Sequence, residues 1–241
     1  MASTILCIFE GAKREPHYFA SLQRHFFSEE AVVQCSYGND LYHLLSELEQ
    51  DDDLDIVELI RDSTTQPRNR ALLEGIERDS IAQVFLFFDM EYHDNGFSIE
   101  NLKSMLAKFN EETEHGKLYI SYPMVEALRD VPSFEDFLEL KVNLEEAKAT
   151  NYKELSSRRA ISIPSDHRRI TYGQWRTLTH FSTLKAQQFA GIQAPHCPEQ
   201  FVIFEAQTAL LESESSLYVL SAFPIFLRDY FGDVFEISEP T

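Results

Sequence analysis

The amino-acid sequence predicts an α/β protein: a four-stranded parallel sheet flanked by helices, with a mostly helical C-terminal part. Two apolar runs carry this expectation. Ile5-Leu6-Cys7-Ile8-Phe9 and Val84-Phe85-Leu86-Phe87-Phe88 are short, uninterrupted and bounded by polar residues, as strands buried on both faces are. Segments of helical period lie between the strand-like runs, and alternation at that spacing implies parallel pairing through right-handed crossovers. From about residue 131 onward the helical period dominates. The chain therefore divides into an α/β domain over residues 1–130 and a mostly helical region over 131–241.

The strand at 4–9 runs through Gly11-Ala12-Lys13-Arg14 into a helix with Pro16 in its first turn and Tyr18, Phe19, Leu22 and Phe26 on one face. Residues 32–36 read as a second strand. Tyr37-Gly38-Asn39-Asp40 reads as a turn in which Asp40 caps an amphipathic helix over 41–48, which 55–60 extends. A helix over 68–78 precedes the central strand at 83–88. Glu91 to Gly96 form a polar loop, Ser98 caps a helix bearing Ile99, Leu102, Met105, Leu106 and Phe109, and a fourth strand at 117–122 stops at Pro123. Helical periodicity then covers 133–153, 172–189, 199–211 and 217–231, with Pro224 bending or breaking the last.

At 241 residues the chain is long enough for a well-buried core. No apolar stretch approaches the roughly 20 residues of a membrane span, and the first apolar run is too short for a cleavable leader because it passes directly into Glu10. Cys7, Cys35 and Cys197 lack metal-ligand spacing and suit a reducing compartment. These features predict a cytoplasmic protein that does not engage a membrane.

A net charge of −19 counts against a general phosphate-binding surface, but the charge is uneven. Residues 151–190 hold seven basic side chains against two acidic ones, a local +5 that leaves −24 on the remainder. Arg158, Arg159, Arg168 and Arg169, followed by Tyr172 and Trp175, make this segment the candidate nucleic-acid-binding face. A salt-bridged helix pair docked on the acidic domain would use the same residues, and a lone Trp also suits a core.

The chemistry is concentrated where the two apolar runs end. Glu10-Gly11 follows the first and Asp89-Met90-Glu91 the second, so both deliver carboxylates to the sheet edge at which open α/β folds bind ligands. Acids crowded there repel one another unless protons or a cation intervene. Oxygen donors with no nearby Cys or paired His favour Mg²⁺ or Mn²⁺ over Zn²⁺.

In Glu10-Gly11-x-x-x-Glu15-Pro16-x-Tyr18-Phe19 after a first strand, and Asp89-Met90-Glu91 after a later one, the first 130 or so residues resemble the Toprim domain, closest to its RloB-like branch. Toprim domains are shared by topoisomerases, DnaG-type primases and OLD-family nucleases, and bind Mg²⁺ through a glutamate and an Asp-x-Asp pair. Here Glu91 stands where the second Asp is usual, and His93 stands where a further acid would follow, with Asp94 the nearest substitute. Ser121-Tyr122-Pro123-Met124-Val125-Glu126 is similar to the Asn-Pro-x-x-Glu stretch of RloB-like proteins, which makes Glu126 a rim candidate.

The resemblance implies a Mg²⁺-dependent nuclease cutting phosphodiester bonds in DNA or RNA, an effector of bacterial anti-phage defence, often with an ABC-type ATPase encoded alongside. Glu10, Asp89 and Glu91 would hold the metal, Lys13 would contact the scissile phosphate beside the N-terminus of the first helix, and His93 would shuttle a proton. A homo-oligomer is compatible with the sequence. Two rivals stay open: a non-catalytic Toprim-like binding module that docks onto a partner ATPase, and nucleotidyl transfer on a small nucleotide.

Overall fold

The computed structural model describes residues 4–27, 31–51, 54–164, 166–193, 195 and 197–232, which form two compact units, one ending at Tyr119 and the other starting at Ile120.

In the first unit β1 (Thr4–Phe9) lies between β2 (Ala31–Ser36) and β3 (Ile81–Asp89) and runs parallel to both. A short antiparallel hairpin of β4 (Asn110–Glu111) and β5 (Gly116–Ser121) completes a mostly parallel five-stranded sheet in the order β2-β1-β3-β5-β4. The α/β class is as the alternation predicts. The extra strand corrects the four-strand expectation, because two residues are too few to show a period. Gly116 makes the hairpin possible: its φ is +114°, and a Cβ there would lie 2.6 Å from Leu86 Cδ1.

Helices α1 (Arg14–Phe26), α2 (Leu41–Gln50), α3 (Ile56–Asp62), α4 (Arg68–Leu72) and α5 (Ile99–Lys108) accompany the sheet. α1 buries Tyr18, Phe19 and Leu22, the face its period marks out. Phe19 meets Phe9 and Phe87 at centroid distances of 5.4 and 5.8 Å, and Phe87 stacks on Tyr119 at 5.7 Å. Each such pair contributes about 0.5–1.5 kcal/mol beyond burial, so the carboxyl ends of β1 and β3 stand on a rigid aromatic base. Asp40 and Ser98 cap α2 and α5 through their side chains, accepting from His43 N and Asn101 N. Two expectations fail here. Residues 55–60 do not extend α2: the Asp55 carboxylate caps a separate α3 by accepting from Val57 N and Glu58 N. The helix expected over 68–78 stops at Leu72, before Gly75 with φ +73°.

The second unit contains α6 (Phe134–Glu139), β6 (Lys141–Asn143), α7 (Ala149–Arg159), α8 (Tyr172–Ala190), α9 (Gln200–Glu214), β7 (Ser216–Tyr218) and α10 (Ala222–Phe231). Strand β6 pairs antiparallel with β7, and both were expected to be helical. Three-residue strands become strands only through the partner they find, which a local period cannot register. Pro224 neither bends nor breaks α10, because it sits in the first turn, where no intrahelical N–H is needed. The capping box of Thr171 and Gln174 starts α8, whose Trp175 is fully buried, and Gly191 ends it in the left-handed region. Asp130, also fully buried, accepts from both arms of the Arg159 fork and from Tyr152 Oη at 2.9 Å. Lys185 is buried too, and its ammonium donates to Phe137 O and Leu140 O at 2.6 and 2.7 Å, capping the end of α6. Burial holds the Lys185 amine well below its usual value.

Candidate metal centre

Parallel pairing places the ends of β1, β2 and β3 on one edge, in the register Phe9↔Ser36 and Phe9↔Phe87. Glu10 N–H still donates to Phe87 O, and Tyr37 N–H and Gly38 N–H donate back to Phe9 O and Glu10 O. Glu10 is thus fixed by backbone on both sides. Its Oε2 then accepts from Asp89 N–H at 3.0 Å, tying the side chain to the strand that delivers the second cluster.

Glu10, Asp89 and Glu91 each offer a carboxylate oxygen, and these oxygens all lie within 4.8 Å of one another. Two oxygens bound to one Mg²⁺ stand about 3–4 Å apart, so small side-chain rotations close the set on a single ion. Asp89 is buried and the two glutamates are half-buried. Glu91 has φ +45°, a left-handed conformation that costs a non-glycine residue about 1 kcal/mol and is held by its surroundings. Those surroundings are visible. Tyr42 Oη donates to Met90 O, Asp94 N–H donates to Glu91 O at 2.8 Å, and the Asp94 carboxylate accepts from Gly96 N–H at 2.6 Å. Asn101 Nδ2 in turn donates to Gly96 O.

The electrostatics are one-sided at Glu10. Burial pushes its carboxyl up to about 8, offset in part by the Asp89 N–H, and the nearby charges of Glu91, Glu15 and Asp40 raise it further. Glu15 occupies the first turn of α1, where it is buried and lies over the turn: a Cβ on Gly11 would sit 2.9 Å from Glu15 Oε2. An acidic, all-oxygen set in which Glu10 resists ionisation fits a hard divalent cation, and nothing in it separates Mg²⁺ from Mn²⁺.

The other candidates are not members of the converging triad. Lys13 is exposed at the cap position preceding α1. His93 is exposed against Tyr92, and Asp94 shapes the turn after Glu91; neither belongs to the converging triad. Glu126 is buried in the second unit, in the turn Val125–Leu128. Of the basic segment, Arg168 is exposed and paired with Asp166, Arg158 and Arg169 are exposed, and Arg159 and Lys185 are engaged internally as described. Tyr42, which anchors the acidic loop, gave no signal beyond an apolar position on an amphipathic helix.

No protein-family model, curated protein or solved structure matches the chain. Among the described residues, no helix is long and apolar enough to cross a membrane.

Proposed function

We propose that the first unit is a Toprim-like, Mg²⁺-dependent nuclease domain that cleaves phosphodiester bonds in DNA or RNA. The observation carrying this reading is the convergence of Glu10, Asp89 and Glu91 oxygens within 4.8 Å at the carboxyl edge of a parallel sheet. A bound divalent ion supplies charge neutralisation at the phosphate and acidifies attacking water. The chain's part is to hold and orient. Asp89 N–H fixes the rotamer of Glu10, the left-handed backbone aims Glu91, and Glu10, whose carboxyl is pushed up, favours a cation over its proton as pH rises. Lys13 and the first backbone N–H groups of α1 offer the phosphate a positive contact.

Exposed Arg158, Arg168 and Arg169 supply the nucleic-acid contacts of the second unit. The resemblance to RloB-like proteins supports a role as an anti-phage effector beside an ABC-type ATPase, for which the acidic remainder of the chain offers a docking surface.

The test is cleavage of a panel of DNA, mRNA and tRNA by the purified chain in Mg²⁺ or Mn²⁺, with Mn²⁺ calorimetry on the same samples. Metal-dependent cutting lost in Glu10→Gln and Asp89→Asn supports the nuclease. Metal binding without cutting, with or without an ABC-type ATPase added, points to the docking module instead.

A further inference from the structure

Beside the acidic triad, on the same sheet edge, Tyr37 follows β2 as Glu10 follows β1. The backbone bonds Tyr37 N–H to Phe9 O and Gly38 N–H to Glu10 O, at 2.7 and 2.9 Å, join the two positions. The Tyr37 ring packs 6.0 Å from Phe88, and its hydroxyl reaches α2, donating to Glu47 Oε2 at 2.5 Å and meeting His43 Nδ1 at 2.7 Å. A phenol has one proton and a carboxylate only accepts, so that proton goes to Glu47. His43 must then donate from Nδ1 to the phenol oxygen. In the neutral imidazole Nε2 is then the acceptor, on a side chain 49% exposed.

These three residues line a cleft of about 510 Å³ together with the apolar Leu54 and Leu59 and the hydroxyl of Thr65. That volume suits a small planar ligand. Its charge excludes a phosphate: no Lys or Arg lines it, whereas Glu47, Glu58 and Asp62 do. Arg61 and Arg70 each take one oxygen of Glu58 and Asp62, and His43 Nε2 with the remaining lone pairs of Glu47 stand among the acceptors of a cleft that no Lys or Arg lines. Two neighbouring acceptors beside an apolar and aromatic surface match an amino group on a flat ring.

The geometry points to a base-recognition site in this cleft, taking a nucleobase with an exocyclic amine. It rests on the nuclease reading for its biological use, since it would place a base beside the phosphate held at the triad, but its chemistry requires neither metal nor cleavage. Adenine, guanine and cytosine each present an amine with two N–H donors, one for His43 Nε2 and one for Glu47, whereas uracil presents a single ring N–H.

The experiment is a metal-free titration of the full chain with adenosine, guanosine, cytidine and uridine, following the His43 imidazole resonances by NMR. At least one of the three amino nucleosides is expected to shift them saturably, with uridine about tenfold weaker. Tyr37→Phe keeps the ring but frees the His43 tautomer, and is expected to weaken the bound nucleoside about tenfold while leaving the backbone spectrum folded. No response from any nucleoside at millimolar concentration, equal binding of uridine, or a response to spermidine alone would each overturn the proposal, the last by showing a cation site. Mn²⁺ binding at the triad is read separately, so failure of the nuclease reading and failure of this one give different results.

Discussion

In the second unit Asp130 is fully buried, and its charge is met by both arms of Arg159 and by Tyr152 Oη. In the first unit Glu10 sits with Glu91, Glu15 and Asp40 as the charges that act on it, and its carboxyl rises to about 8. A buried acid with a guanidinium fork needs nothing further and serves as structure. One gathered with its own kind is stable only while protonated or beside a cation, which is the condition of a binding site.

The largest effect that would break this contrast is on activity. Glu10→Gln or Asp89→Asn is expected to lower metal-dependent cleavage by about 10³-fold, the several kcal/mol a catalytic ion supplies. Gel-based cleavage rates measure it, and residual cutting within tenfold of the parent would remove the triad from the chemistry. Arg159→Ala is expected to act on folding: it strands a buried Asp130 and costs about 3 kcal/mol in urea unfolding, part of which Asp130→Asn in the same chain restores. Unchanged stability in the single variant would mean that this acid tolerates the loss of its cationic partner.

A third expectation concerns pH. The folded chain keeps a proton on Glu10 that the unfolded chain releases, so from pH 4.5 to about 8 the folded state binds more protons and stability falls as pH rises. The loss is fully expressed above pH 8 in metal-free protein and amounts to a few kcal/mol relative to Glu10→Gln, whose stability lacks this slope. Saturating Mn²⁺ is expected to flatten the parent's curve, because binding replaces the proton. Parallel curves for parent and variant would show that Glu10 ionises normally.

The smallest effect separates the arginines. Arg168→Ala and Arg169→Ala are each expected to reduce the salt slope of nucleic-acid binding by about 1 while sparing stability. Arg159→Ala is expected to leave that slope unchanged where the variant remains folded, since its fork already serves Asp130.

Much of the first unit was legible because its strands are long and apolar and its caps are local: Asp40, Ser98 and the acids after β1 and β3 are specified by residues within a few positions. What escaped were elements whose state depends on a distant partner. Strands β6 and β7 have helical period and pair across more than seventy residues, and Arg159 and Lys185 read as part of a basic surface until Asp130 and the end of α6 claimed them.

The sequence by itself determined the α/β alternation and the placement of Glu10, Asp89 and Glu91 at strand ends, because periodicity and chain order set which edge a residue reaches. Only the tertiary structure decided that their oxygens meet within 4.8 Å, that Glu91 takes a left-handed backbone under Tyr42 and Asp94, and that Tyr37 joins His43 to Glu47. Those outcomes depend on distances between segments remote in the chain. Such distances are fixed by packing and by competition for hydrogen-bond partners, neither of which a local pattern encodes.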